Sequence, residues 1–116
     1  MDTLLAQLVE EVEGALGAAV GATDGLLVEQ HAKEDLSAAV AEHANLLRSG
    51  NAAYSRTLGY GDVREIMLVS DQRLGFIRPV GNGLFLLLLL EPGGNLGKAR
   101  LRSADAARRL EELVGA

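Results

Sequence analysis

Residues 84–90 read Leu-Phe-Leu-Leu-Leu-Leu-Leu, seven consecutive apolar side chains with no polar residue among them. Successive side chains of a β-strand point to opposite faces of a sheet, so a strand without alternation needs cover on both faces. Left exposed, such a run would be prone to aggregate. The run therefore predicts a central strand of a sheet that carries helices on both sides.

Two more strand-like runs precede the leucine run, at residues 64–70 and 73–80. Only Asp71-Gln72 separates these two runs, and Gly81-Asn82-Gly83 separates the second from the leucine run. Connections this short join antiparallel neighbours, so the three runs predict an antiparallel meander. Pro79 cannot donate a ladder hydrogen bond and is therefore expected at a strand end or a bulge.

A helix and a β-hairpin are predicted upstream of this meander. The apolar runs 18–22 and 26–28 flank Thr23-Asp24-Gly25, and two apolar runs around an Asp-Gly pair are typical of a hairpin. An amphipathic helix is expected before them, ending at Gly14 or Gly17. Its apolar residues recur at helical spacing: Leu5, Leu8, Val9, Val12 and Leu16.

The middle of the chain returns to the helical period. This pattern predicts a long helix from Asp35 to Gly59 or Gly61, with Gly50 as a weak point in its interior. One stripe of the helix is mostly apolar: Leu36, Val40, His43, Leu47, Tyr54 and Leu58. A second stripe is small or polar: Ala38, Ala41, Asn45, Ser49 and Ala52. The helix therefore has two faces able to pack.

A final helix is predicted after the leucine run. Pro92-Gly93-Gly94 breaks the chain, and Asn95 is suited to cap the helix that follows. The side chains expected to be buried on this helix are Leu96, Ala99, Ala107, Leu110 and Val114. The element order is then α-β-β-α-β-β-β-α. With 116 residues and neither repeat nor linker, residues 1–116 are expected to form a single α+β sandwich domain.

The composition argues against several classes of function. The net charge is -5, which disfavours nucleic acid as a partner because its binding needs clustered cations. The chain has no Cys, so disulfides and Cys-ligated zinc are excluded, and a reducing, cytoplasmic location is expected. No apolar run approaches the roughly 20 residues that cross a bilayer, so membrane insertion is not expected.

No catalytic, cofactor-binding or metal-binding set is recognisable in the sequence. His31 and His43 are the only imidazoles; the first is expected to be exposed and the second to be packed or interfacial. Two histidines without Cys or clustered carboxylates fall short of the usual metal ligand sets. The glycine-rich turns lack the Gly-Lys-Ser/Thr of a P-loop. The chain is therefore expected to be neither an enzyme nor a holder of a cofactor.

Three segments resemble the Roadblock/dynein light-chain family, in its bacterial form that regulates Ras-like GTPases. Residues 21–28, Gly-Ala-Thr-Asp-Gly-Leu-Leu-Val, look like the family's first hairpin, and residues 78–81, Arg-Pro-Val-Gly, look like the exit of its fourth strand. Residues 91–100, Glu-Pro-Gly-Gly-Asn-Leu-Gly-Lys-Ala-Arg, resemble its entry into the last helix. The resemblance implies a five-stranded antiparallel sheet with one helix on one face and two on the other. The related profilin and longin folds share parts of this architecture and remain alternatives.

The run at residues 64–70 is expected at an edge of this sheet, where its apolar centre is unsuited to stay unpaired. The apolar residues concerned are Ile66, Met67, Leu68 and Val69. The resemblance implies that two copies join their third strands and pack their middle helices side by side in a homodimer. Ala44 and Leu47 of the middle helix are then expected at the same dimer interface.

The resemblance further implies that the paired middle helices form a platform for a small Ras-like GTPase. The positions expected to face the GTPase are Ala41, Asn45, Arg48 and Ala52. Binding would alter the activity or the location of the GTPase. Two alternatives stay open: a structural adaptor in a larger complex without GTPase contact, and a small-molecule sensor, which needs a sizeable apolar cavity.

Overall fold

Three helices and five strands make up the chain in the computed structural model, which describes residues 1–115. In chain order they are α1 (Asp2–Glu11), β1 (Ala15–Ala22), β2 (Leu27–Ala32), α2 (Ser37–Asn51), β3 (Ile66–Val69), β4 (Leu74–Gly81), β5 (Leu84–Leu90) and α3 (Leu96–Val114). A π-helical segment, Ala52–Thr57, continues α2 in wider turns. Among these described residues, no helix is both long and apolar enough to cross a membrane.

The strands form one antiparallel sheet in the order β2-β1-β5-β4-β3. The leucine run, β5, pairs with β1 on one side and with β4 on the other, which confirms its predicted central position. β3 pairs only with β4, and β2 pairs only with β1, so these two strands form the edges. The ladder between β4 and β5 is irregular between Pro79 and Gly81. Because proline has no N–H to donate, it disturbs the hydrogen bonds of the sheet least at such a site.

Side chains of β5 point alternately into two separate apolar layers. Leu86, Leu88 and Leu90 lie in the layer beneath α1 and α3, whereas Phe85 and Leu87 lie in the layer beneath α2. All five are at most 1% exposed, and burial of each contributes roughly 1.5–3 kcal/mol of hydrophobic free energy. One helix on one face and two on the other confirms the predicted α+β sandwich.

The two terminal helices begin and end largely where local chemistry places them. Asn95 caps α3, because its Oδ1 accepts a hydrogen bond from the Lys98 backbone N–H at 3.0 Å. α1 stops earlier than its apolar pattern predicts. Val12 is already extended and Gly14 has a φ of +86°, a conformation that favours glycine and turns the chain. Leu16, predicted on the helix, therefore lies in β1 instead.

A side-chain turn before the helix and a glycine on the sheet beneath it position α2. Asp35 Oδ1 accepts hydrogen bonds from the Ser37 hydroxyl (2.7 Å) and the Ser37 backbone N–H (2.9 Å), which lower the pKa of Asp35. Further along, the His43 ring lies over Gly75 of β4, where a Cβ would be only 2.6 Å from His43 Nε2. Its Nδ1 donates to the Ala39 carbonyl at 2.7 Å, so the ring is held between helix and sheet.

The apolar stripe predicted for the long middle helix ends at Asn51. Tyr54 and Leu58 are predicted on this stripe, but their side chains are 54% and 50% exposed. The wider turns of Ala52–Thr57 change the angle between successive side chains. Both residues are thereby rotated away from the face that buries Val40.

Two ion pairs tie the start of β3 to the rest of the chain. The Glu65 carboxylate contacts Arg78 of β4 and Arg100 of α3, each with an N···O distance of 2.6 Å. The Glu65 and Arg78 side chains are only 21% and 24% exposed, so solvent screens this pair less than a surface pair. The contacts fix the backbone just before the edge strand.

Gly21 of β1 leaves room for α2, and filling this room should destabilise the fold. A Cβ there would lie 2.5 Å from Val40 Cγ1 and 2.9 Å from the Phe85 ring, so Gly21→Ala should lower the free energy of unfolding by roughly 1–3 kcal/mol. Gly97→Ala, in the first turn of α3, is the matched control, since its nearest neighbour is 3.7 Å away; it should raise that free energy by up to about 1 kcal/mol. Urea unfolding followed by circular dichroism measures both, and a neutral Gly21→Ala would contradict this packing.

Removing the charge of Glu65 should loosen β3. Glu65→Gln leaves two arginines without their anion, and we expect it to cost about 1–3 kcal/mol of stability and to speed amide hydrogen exchange in β3. Asp105→Asn is the control, because Asp105 pairs with Arg108 and Arg109 only along α3, where such pairs contribute about 0.5 kcal/mol or less. Equal costs for the two variants would show that Glu65 has no special role.

Candidate interaction surface

The edge strand β3 exposes an unusual amount of apolar surface. Met67, Leu68 and Val69 are 38%, 40% and 66% exposed, and Ile66 is half-buried. The Ser70 N–H donates to the Arg73 carbonyl of the β3–β4 turn at 3.0 Å. Backbone groups alternate in direction along a strand, so the N–H and C=O groups of Met67 and Val69 point away from β4. The edge is therefore both apolar and ready to form a ladder.

A groove of about 900 Å³ runs between this edge and the end of α2. Ile66 and Leu68 line it from β3, and Leu46 and Tyr54 line it from the helical side. Leu46 is 41% exposed and lies across the groove from Leu68, which is 40% exposed, so the two form part of one apolar patch. The α2 flank that faces β3 is thus apolar and uncovered.

Two residues predicted at the dimer interface are placed elsewhere by the structure. Ala44 and Leu47 are 0% and 5% exposed and lie in the apolar layer between α2 and the sheet, next to Ile77 and Leu87. Their side chains are buried in the core of their own chain and leave no accessible surface for contact with a second copy. The prediction was wrong for these two positions, and Leu46 is the α2 residue that takes their place beside β3.

The four residues predicted to face a GTPase lie together on another flank of α2 and its continuation. Asn45 and Arg48 are exposed, whereas Ala41 and Ala52 are half-buried. The Arg48 guanidinium donates to the Thr23 carbonyl in the β1–β2 turn and to Asn45 Oδ1. This flank is therefore fastened to the first hairpin, and its arginine is held in place.

An exposed aromatic pair extends the surface beyond α2. The rings of Tyr54 and Tyr60 meet edge to face, with centroids 5.7 Å apart, and both side chains are more than half exposed. These are the only tyrosines of the chain, and they follow one another closely on either side of Gly59. The sequence pattern placed Tyr54 on the buried stripe and did not identify Tyr60 or Leu46 as surface residues. Aromatic residues such as tyrosine are enriched at protein interfaces, so the exposed pair marks this surface as a candidate.

Neither histidine belongs to a polar cluster in the part of the chain that the structure describes. His31 is exposed on β2, and His43 is held over Gly75. Within residues 1–115 no group of three or more His, Asp or Glu side chains is arranged to hold a metal ion. The candidate interaction surfaces described above are therefore the β3 edge, the groove beside it and the two flanks of α2.

Solved structures share this arrangement of sheet and helices. A Roadblock/LC7 domain from Streptomyces avermitilis is 23% identical, with a TM-score of 0.92 over 100% of this chain and 98% of that one. MglB from Myxococcus xanthus is 14% identical, with a TM-score of 0.85 and coverage of 98% and 94%. These likenesses confirm the predicted fold.

Sequence similarity is higher to MglC from Myxococcus xanthus, which is 35% identical, with a TM-score of 0.66 and coverage of 95% of each chain. No curated protein sequence is similar enough to count as a match. The sequence profile of the Roadblock/LC7 domain matches residues 1–90, a region that includes the whole five-stranded sheet. The resemblance to this family is confirmed, and the chain belongs to the Roadblock/LC7 domain family.

Proposed function

We propose that this protein is a non-catalytic, cytoplasmic homodimer that binds a small Ras-like GTPase and changes its activity or its location. The observation that carries the proposal is the open β3 edge with the apolar groove beside it. Natural sheets protect their edges with charges, prolines or cover, whereas this edge presents Met67, Leu68 and Val69. A second copy of the same strand supplies the missing ladder and covers the apolar side chains.

Symmetry then brings the middle helices together. A two-fold axis that makes two identical edge strands antiparallel is perpendicular to the sheet, so it leaves each face of the sheet on its own side. Both α2 helices consequently lie on the same face of a continuous ten-stranded sheet, two copies of five strands. Their β3-facing flanks, with Leu46 and Tyr54, turn towards each other, and the groove is closed.

The GTPase-facing surface is then the part of each α2 that the dimer leaves open. Asn45 and Arg48 are exposed there, and Ala41 and Ala52 keep the surface low enough for another backbone to approach. Arg48 is engaged by Thr23 and Asn45, so in this proposal it acts as a fixed cation on the platform. Transfer of an arginine into the GTPase site is not part of the proposal.

The small-molecule alternative has one observation in its favour, the size of the groove. About 900 Å³ lies within the range of ligand sites. However, the groove opens along the β3 edge, where a second copy would fill it. The dimer would therefore close the groove. A small-molecule sensor, in contrast, would need the groove to stay open to its ligand in the assembled protein.

A charge on β3 should split the dimer. Leu68→Asp places one carboxylate from each copy inside the apolar interface, and burial of unpaired charges costs several kcal/mol, so the dimer should weaken by about 100-fold or more. Leu101→Asp is the matched control, since Leu101 is 65% exposed on α3. Sedimentation equilibrium gives the mass of each. A monomeric parent protein, or a dimer that tolerates Leu68→Asp, would overturn the proposed interface.

A large side chain on the platform should block the GTPase without affecting the dimer. Asn45→Arg should weaken binding by about tenfold or more, the scale of a central interface residue. Gln7→Arg makes the same chemical change on α1, across the sheet, and should have no effect. Calorimetry with GTP-loaded Ras-like GTPases of the same organism, together with their turnover rates, measures the outcome. A dimer that binds none of them but captures a scaffold protein would favour the adaptor instead.

A further inference from the structure

We propose that Asn82 is a modification site, at which spontaneous deamidation unfastens the end of α3. The inference combines the Asn-Gly turn between β4 and β5 with a hydrogen bond that this turn makes to the last residue of α3. It goes beyond the proposed function and does not depend on the dimer, because every group involved belongs to one chain.

The turn between β4 and β5 is short and open to solvent. Gly81 of β4 is opposed to Leu84 of β5, so the turn consists of Asn82 and Gly83 alone. Their φ angles are +53° and +71°, as in the two-residue type I′ turn that Asn-Gly favours. Both residues are exposed, so water reaches the side-chain amide of Asn82.

The Asn82 side chain fastens this turn to α3. Its Nδ2 donates a hydrogen bond to the Val114 carbonyl at 2.8 Å. Val114 is the last residue of α3, so its carbonyl has no partner within the helix. A carbonyl only accepts hydrogen bonds, and the amide must therefore face it with its nitrogen. Asn82 thus serves the end of α3 as Asn95 serves its start.

The residue after Asn82 permits deamidation. The backbone nitrogen of Gly83 can attack Cγ of Asn82, because Gly83 has no Cβ to obstruct the approach. A bond forms between this nitrogen and Cγ, while the bond between Cγ and Nδ2 breaks. The N–H proton of Gly83 passes through water to the leaving nitrogen, which departs as ammonia. Water then opens the resulting succinimide ring at one of its two carbonyls, giving aspartate or isoaspartate.

The three other asparagines of the chain lack these features. Each precedes a residue that carries a side chain, and each belongs to a helix or caps one: Asn45, Asn51 and Asn95. A side chain on the next residue obstructs the attack, and the regular helical backbone restrains the ring closure. Asn82 is therefore expected to react first.

Deamidation turns an attraction at the end of α3 into a repulsion. An ionised carboxylate accepts hydrogen bonds but cannot donate one, so it has nothing to offer the Val114 carbonyl. The carboxylate also adds a negative charge at the C-terminal end of a helix, where the backbone dipole is already negative. Isoaspartate further lengthens the main chain by one carbon, which a two-residue turn does not accommodate. The carbonyl of Gly83, which accepts from the Thr23 N–H at 2.8 Å, shifts with it.

The same hydrogen bond makes the reaction a one-way switch. While Nδ2 is bound to Val114, the amide is held, and ring closure requires it to be released. Local opening of the end of α3 therefore controls the rate. Once ammonia has left into the solvent, the carboxylate cannot restore the bond, and the end of α3 stays loosened.

Ageing of the purified protein in mildly alkaline buffer tests the site. Peptide mass spectrometry, with isoaspartate methyltransferase labelling, should show deamidation at Asn82 at least about tenfold faster than at Asn45, Asn51 or Asn95, because Gly83 alone leaves the attack unobstructed. An equal or slower rate at Asn82 would overturn the proposed site.

Two substitutions at Asn82 test the consequence. Asn82→Asp reproduces one product and should speed amide hydrogen exchange at Gly115, whose N–H donates to the Glu111 carbonyl, by roughly fivefold or more. Asn82→Gly is the matched control, since it suits the positive φ and removes the donor without adding a charge; its effect should be smaller. The first turn of α3 should exchange unchanged in both. Parental exchange at Gly115 in Asn82→Asp would overturn the link to α3.

A second pair of substitutions tests whether the helix end controls the reaction. Leu113 is 60% exposed in the last turn of α3. Leu113→Gly should speed deamidation at Asn82 by up to about fivefold relative to Leu113→Ala, because both lose the side chain but glycine loosens the helix. Circular dichroism shows that both are folded. Equal rates would overturn control by the end of α3, and none of these outcomes bears on the proposed dimer.

Discussion

Burial of β5 on both faces is the constraint on which the rest of the structure depends. A strand of one phenylalanine and six leucines has no face suited to water, so helices must cover the sheet on both sides. The chain meets this requirement with α1 and α3 on one side and α2 on the other. Once β5 is central, short turns place β4 beside it and leave β3 one position further out, at the edge.

The two edges of the sheet differ in chemistry, and the difference is the basis of the proposed function. β2 begins with Leu27 and Val28 but continues with Glu29, Gln30 and His31, three polar residues that suit an edge that faces water. β3 carries four apolar residues in a row and is anchored at its start by Glu65. A short, firmly held, apolar edge is a poor surface for a solitary chain and suits self-association. The proposed homodimer starts from this edge.

α2 joins the two proposed interactions because its flanks differ. One flank, with Leu46, faces the edge strand and the groove. The other, with Asn45 and Arg48, is fastened to the first hairpin. In the proposed assembly the two flanks of α2 therefore serve different partners, while Ala44 and Leu47 hold the helix on the sheet of its own chain.

The sequence by itself determined the fold: the leucine run required two covered faces, Asn95 marked the start of α3, and Pro79 marked a strand end or a bulge, which the structure places between Pro79 and Gly81. It also identified β3 as an apolar edge. Only the tertiary structure decided which α2 residues remain at the surface. Leu47 shares the apolar stripe of Leu36 and Val40, but periodicity does not show whether such side chains pack on the sheet of their own chain or on a second copy. Ala44 and Leu47 were assigned to the second copy, whereas the structure buries both against the sheet. Tyr54 and Leu58 left the buried stripe because the helix widens after Asn51, a change of pitch set by packing and loop closure rather than by local propensity.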